Sequence, residues 1–463
     1  MKQVILASAL LLLCQFSFAQ YESFDLSKYK LPDIKRHQLD FSFSFDNNIR
    51  KSNYENMEDY SYFNLNNDIR LNYSYYRNTS KNQSDGWGNI SSSITLDREK
   101  QETYNRVKDD YYNFKIDAGF LKRIYTNSDA RWFLLWSTNL YMTQTLNREN
   151  ELWSYDNSLT EKYKSRFLTL QPGVSLGGGF GRVERVGDAR RAIYIIDDLY
   201  KKDKLKRLPD ENELLVIANR VAELRNQRFF DARLRHIYEM ESLDSLLNTM
   251  DLVSNNDMGY FTALNDMWLY GDESRRSGTR FQARVGGQLF YRFIKRKTET
   301  YDIDYSDFTI DNNDNVYNET LRLRLDLDSY KPIGLKWQRY LSVQFQANRY
   351  FNDIDETEVS DDYYYFIGSI NYGYHWYLNT RTYASFGVRG NSVSRKYIED
   401  QDYYSDRKDF QAGISGSLNY YFSPRLKASV QMNAYCDWDE NDDSSYNRYF
   451  AIVTQASLNY AIF

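Results

Sequence analysis

The chain has 463 residues, 42% of them hydrophobic, and a mean hydropathy of -0.72, which excludes a polytopic helical membrane protein. Lys and Arg number 59 against 64 Asp and Glu, a net charge of -5, so no chain-wide attraction draws it to nucleic acid or anionic lipid. Only 5 Pro and 21 Gly occur while aromatic residues reach 17%, which excludes collagen-like and Pro-rich disordered chains and leaves long regular elements.

Residues 1–19 carry Lys2, an apolar run from Val4 to Leu13, and small Ser17 and Ala19 ahead of a cut before Gln20. This is the pattern of a secretory signal peptide, and the apolar run is too short for a membrane anchor. A short segment, 20–36, follows and is assigned to the periplasm. Without the leader, Cys436 is the only cysteine, so no internal disulfide is available to an exported chain.

From Leu39 onward apolar residues fall at every second position: Leu39, Phe41, Phe43 and Phe45, with Asp40, Ser42, Ser44 and Asp46 between them. Period two predicts a strand with one apolar and one polar face. The pattern recurs through 37–179 as six strands and through 279–463 as eight more, about 14 in all, an even number as in bacterial barrels. Apolar faces of about ten residues suit a tilted bilayer crossing better than a soluble sandwich. Segments 46–59, 97–109, 147–163, 295–317, 348–362, 391–409 and 437–446 read as long polar connections. Segments 125–131, 329–334, 379–381 and 422–425 read as short turns, and 77–86 as a connection of intermediate length. The expected fold is an all-β transmembrane antiparallel barrel whose short-turn side faces the periplasm.

Residues 180–278 interrupt this pattern on the short-turn side, where the period changes to 3.6. Ala192, Ile193, Ile196 and Leu199 form one apolar stripe; Leu214, Ile217, Ala218, Val221 and Leu224 a second; Phe230, Leu234, Ile237, Leu243 and Leu247 a third; and Met258, Phe261, Leu264 and Trp268 a fourth. Asp210 with Glu213 predicts a capping box, and Gly271 a stop for the last helix. The α-helical periplasmic insertion is expected to act as a plug, as a docking module for a periplasmic partner or the cell wall, or simply as packing that steadies the barrel. Lys201, Lys202, Lys204, Lys206 and Arg207 form its candidate contact.

Residues out of phase with the apolar face are hydrophilic, so the lumen is expected to be wet. Arg280, Arg284 and Arg292 stand opposite Arg322, Arg324, Asp326 and Asp328 on the next strand. Two readings stay open: fixed charges that set solute preference, and ion pairs that brace the wall. The many Tyr suit interfacial girdles, while lumenal Tyr62, Tyr76, Tyr141, Tyr377 and Tyr421 offer rings to a sugar. The acidic stretch Asp437-Trp-Asp439-Glu-Asn441 lacks the glycine and bidentate glutamate of a calcium loop. His37, His236 and His375 are scattered, no Cys/His set has metal spacing, and Gly177-Gly-Gly-Phe-Gly181 lacks the spacing of a phosphate loop, so neither catalysis, nor a metal, nor a cofactor is expected.

The leader, the alternating Tyr-rich strands and the ending Ala456-Ser-Leu-Asn-Tyr460-Ala-Ile-Phe463 together resemble the porin-like outer-membrane β-barrel proteins of Gram-negative bacteria. The resemblance implies an outer-membrane location, contact with its lipid and lipopolysaccharide, and recognition of terminal Phe463 by the barrel assembly machinery. It further implies a channel for small hydrophilic solutes, or else a receptor or anchor acting through loops or insertion. No nucleic acid partner follows from it.

Overall fold

A computed structural model describes residues 24–460 except 55–56, 102–104, 127–130, 154–158, 228–231, 271–274, 303–306, 354–361, 399–405, 424–425 and 442–445. The leader, Phe230, Gly271 and Phe463 therefore lie outside the described residues.

Fourteen strands form one antiparallel sheet in strict chain order. They are β1 Ile34–Tyr54, β2 Met57–Asn78, β3 Asn82–Gln101, β4 Asn105–Tyr125, β5 Trp132–Trp153, β6 Leu159–Arg185 and β7 Arg276–Asp302, then β8 Phe308–Ile333, β9 Trp337–Asp353, β10 Tyr363–Tyr377, β11 Thr382–Tyr397, β12 Arg407–Tyr421, β13 Leu426–Asn441 and β14 Tyr446–Tyr460. No described helix is long and apolar enough to cross a membrane. Among the described residues β1 pairs only with β2, and β14 only with β13.

The described parts of the segments expected as long connections are largely continuations of the strands. Asn47 pairs with Leu65 and Ser52 with Tyr60 inside the expected first loop, and Asp437 and Asp439 lie within β13 rather than in a loop. The expected intermediate connection at 77–86 is a tight turn between Asn78 and Asn82. The reason is physical: where both faces of a hairpin meet water, alternation disappears from the sequence, yet the backbone ladder continues. β6 and β7 reach 27 residues each, about 90 Å at some 3.3 Å per residue.

One face of the sheet carries large apolar side chains in the open: Phe41 is 69% exposed, and Leu134, Leu176, Val285, Leu323, Ile414 and Leu458 repeat the pattern around the strand order. Among the described residues the opposite face holds no comparable apolar core; the buried apolar cluster found there is Tyr125, Phe133 and Leu135.

The main hydrophobic core lies in the insertion, which folds as α1 Gly187–Lys201, α2 Glu211–Asn226, α3 Ala232–Thr249 and α4 Met258–Leu269. The stripe residues Ala192, Ile193, Ile196, Leu199, Leu214, Ile217, Val221, Leu243, Leu247 and Leu264 are all buried in it, whereas Leu234, Ile237, Met258 and Phe261, expected on the third and fourth stripes, are exposed. The capping box forms: the Asp210 carboxylate accepts from Glu213 N at 2.8 Å and Glu213 accepts from Asp210 N at 2.9 Å. Replacing Asp210 by Ala should lower the melting free energy of the insertion by about 1 kcal/mol, read from the helical circular-dichroism signal. The last helix ends at Leu269, with Tyr270 at its C-terminal boundary.

The insertion rests on strand ends and turns. Its core takes in Ile34 at the start of β1, Leu335 in the β8–β9 turn and Tyr76 near the end of β2. Arg190 of α1 lies over Tyr377 at the end of β10, 4.4 Å from the ring centre. Asp266 of α4 accepts from Arg381 in the β10–β11 turn at 2.6 Å, and Tyr270 meets Tyr421 at the end of β12. In a flat sheet β2 and β12 would stand about 48 Å apart at some 4.8 Å per strand. The longest helix, of 18 residues, spans only about 27 Å. The sheet is therefore strongly rolled, and the insertion caps its short-turn end.

Candidate functional site: the inward-facing charge network

The roll turns the polar face inward and brings β3 through β8 around one cavity of about 410 Å³. β7 and β8 supply its cations because their register sets Arg280 opposite Asp328, Gln282 opposite Asp326, Arg284 opposite Arg324, and Gly286 opposite Arg322. Arg284 and Arg324 are like charges directly across the ladder, an arrangement that needs a shared counter-ion. Asp326 supplies it, 3.4 Å from Arg284 and 2.8 Å from Arg324 Nε, while accepting from Gln282 at 3.0 Å. Arg280 pairs with Asp328 at 3.0 Å. Arg322 donates to Gln288 at 2.7 Å and to Asn348 at 3.0 Å, and Arg324 donates to Gln344 at 2.9 Å.

Six of the seven expected residues thus lie side by side in three adjoining sets of ion pairs and hydrogen bonds, one around Asp326, one around Asp328 and one around Arg322. Arg292 stands apart, opposite Val316 in the register, with its guanidinium over Phe290 at 5.1 Å. The network also reaches back across the concave wall: Arg123 of β4 donates to Gln282 at 3.1 Å and pairs with Asp85 of β3 at 3.3 Å. Sequence reasoning missed Arg123, which sits in Leu121-Lys122-Arg123 near a strand end where only parity separates inward from outward. Trp87 was missed too, although it shares the inward parity of Asp85 and Asn89. Its ring lies on Gly119, where an added Cβ would come within 2.8 Å of it.

The Tyr expected to line a lumen divide differently from the expectation. Tyr76, under Arg185 at 3.9 Å, packs against the insertion core; Tyr377 is flanked by Arg190 and Arg275; Tyr421 meets Tyr270. These three seat the cap and offer no open ring to a sugar. Tyr62 donates to Asp97 at 3.2 Å, and Tyr141 lies under Lys115 at 5.0 Å.

Gly177 and Gly181 serve the β6–β7 ladder. A Cβ at Gly177 would fall 2.0 Å from the Ala283 carbonyl oxygen, and Gly181 has φ of +90°, which favours glycine.

The basic run of the insertion is matched residue by residue with carboxylates. Lys201 pairs with Asp197 at 2.6 Å, Lys202 with Asp198 at 2.7 Å, Lys204 with Asp257 at 2.8 Å, Lys206 with Asp251, and Arg207 with Glu213 at 2.7 Å. It is therefore not an uncompensated basic patch. The Arg207 guanidinium and the Asp210 amide hold Glu213 down at about 2, while Lys206 lowers Asp251, and Lys204 with the Tyr260 amide lowers Asp257. Depressed carboxylates stabilise the fold above their unfolded values, and that contribution is lost as pH falls through the folded ones. Acid should thus loosen the cap from about pH 4 down to about 2, with helical ellipticity fading before the strand signal. Simultaneous loss of both signals would contradict this order.

Among the described residues no group of three or more His, Cys, Asp and Glu could hold a metal ion. Compared with known proteins, the chain matches no family model and no curated sequence.

Proposed function

We propose that the sheet closes into a transmembrane barrel of the bacterial outer membrane by joining β1 to β14, and that it conducts small hydrophilic solutes through a lumen capped at the periplasmic mouth. The observation carrying this reading is the division of one rolled sheet into an exposed apolar face and an inward face lined by hydrogen-bonded charges around a cavity. In water the apolar face would be a large aggregation liability; against lipid it is matched. A wet interior is the condition under which inward Arg and Asp are tolerable.

Strand length fits as well. A bilayer crossing needs about 9–11 tilted residues. In β8 the apolar outer set Leu321, Leu323, Leu325 and Leu327 lies in the second half of the strand, whereas the stretch from Phe308 to Asn315 is exposed on both faces. That stretch would stand beyond the outer leaflet as a polar hairpin wall. This wall also supports a second reading, a receptor or anchor whose projecting hairpins or cap engage a partner; a stoichiometric partner recovered with the full chain, and lost on trimming the hairpins, would favour it.

Purified protein in planar bilayers should give stepwise conductance. A barrel that stays silent both intact and without its insertion would remove the channel reading.

A further inference from the structure

The cavity between β3 and β8 joins three chemistries that a general water pore does not need. The first is a flat apolar surface. Trp87 projects inward, lies on Gly119 and remains 47% exposed on a mostly polar face that also brings Leu121 to the cavity, so its indole presents one side to the cavity. The second is unbalanced positive charge. Arg284, Arg322 and Arg324 line the cavity, and the network around it holds five guanidinium groups, those of Arg123, Arg280, Arg284, Arg322 and Arg324, against the three carboxylates of Asp85, Asp326 and Asp328. The third is a set of neutral hydrogen-bonding groups: Asn139, the Ser137 and Ser175 hydroxyls, which bond each other at 2.6 Å and keep spare lone pairs, and Gln288, which accepts from Arg322 at 2.7 Å. Gly286 keeps the floor between these sets low, since a Cβ there would come within 2.4 Å of Ser175.

We infer that this cavity is a binding site for an anionic sugar of the uronic acid class. Guanidinium groups pair with a planar carboxylate in a fork that a lone hydroxyl cannot match. An exposed indole stacks on the C–H face of a pyranose ring, and hydroxyls and amides bond to the remaining ring hydroxyls. An inorganic anion leaves Trp87 unused, a neutral sugar leaves the excess charge unused, and an aromatic carboxylate leaves the hydroxyl and amide groups unused. A volume of about 410 Å³ lies in the range of small-molecule sites. The inference deepens the channel reading by naming its solute class, and rests on that reading only for transport, not for binding.

The test is calorimetric titration of the full-length protein in detergent micelles with galacturonate, galactose and benzoate. Galacturonate should bind about tenfold or more tightly than either of the others, and Trp87→Ala and Arg322→Gln should each weaken it by about tenfold or more. Trp87→Phe, which keeps an aromatic face, should retain most of the affinity and serves if the alanine variant does not fold. Equal affinity for benzoate or for galactose, no binding of galacturonate, or galacturonate binding indifferent to both Trp87 variants and to Arg322→Gln would overturn the inference. Binding by a protein that is silent in bilayers would keep the site and remove the channel; conductance without binding would do the reverse.

Discussion

Replacing residues 187–274 by a short turn between Arg185 and Arg276 should raise single-channel conductance several-fold while leaving the sheet folded. Arg185 and Arg276 are register partners at the end of the β6–β7 ladder, so a tight turn can join them without shifting any strand. The insertion carries most of its own core, shared mainly with the N-terminal segment, whereas the sheet is held by its backbone ladders. Its seats, Tyr76, Tyr377, Tyr421, Leu335 and Arg381, are strand ends and turns spread from β2 to β12. A body fixed at points around a rim obstructs the mouth rather than the lumen. Unchanged conductance in a folded deletion variant would mean that solutes pass around the cap, and that the insertion serves docking or packing.

The second large effect is expected from charge. Exchanging Arg322 and Arg324 for Glu turns an excess of two guanidinium groups into an excess of two carboxylates across these adjoining sets. A unit charge at about 4 Å is worth about 1 kcal/mol in bulk water and about 4 kcal/mol at an effective dielectric constant of about 20. The anion-to-cation permeability ratio should therefore fall by about tenfold or more, and the zero-current potential in a KCl gradient should change sign. Arg292→Glu, which alters a residue outside the network, is the matched control and should move it little. A potential that stays on the same side of zero in the double variant would mean that these arginines brace the wall and the narrowest point lies elsewhere.

Much of this architecture is legible in the sequence because the exposed apolar face and the inward face differ sharply in polarity, as in Leu321-Arg-Leu-Arg-Leu-Asp-Leu-Asp328. The strand count came out at 14 for that reason. Strand length did not, because hairpins wetted on both faces carry no alternation. In the insertion, the 3.6 period and the capping box of Asp210 and Glu213 were both readable. The partners of the basic run were not: Lys204 and Lys206 meet Asp257 and Asp251 only through the packing of distant segments. Likewise Tyr76, Tyr377 and Tyr421 share inward parity with open lumenal rings, and only the seat of the cap sets them apart. Trp87 was hidden because a single inward aromatic does not break an alternating pattern.

Nitroxide scanning of β8 from Leu321 to Asp328 in liposomes separates a membrane-spanning wall, with lipid on one side and water on the other, from a sheet wetted on both faces. A membrane-spanning wall gives a period of two: oxygen accessibility peaking at Leu321, Leu323, Leu325 and Leu327, and accessibility to a water-soluble nickel chelate peaking at Arg322, Arg324, Asp326 and Asp328. Equal chelate accessibility at all eight positions would place both faces in water and contradict it.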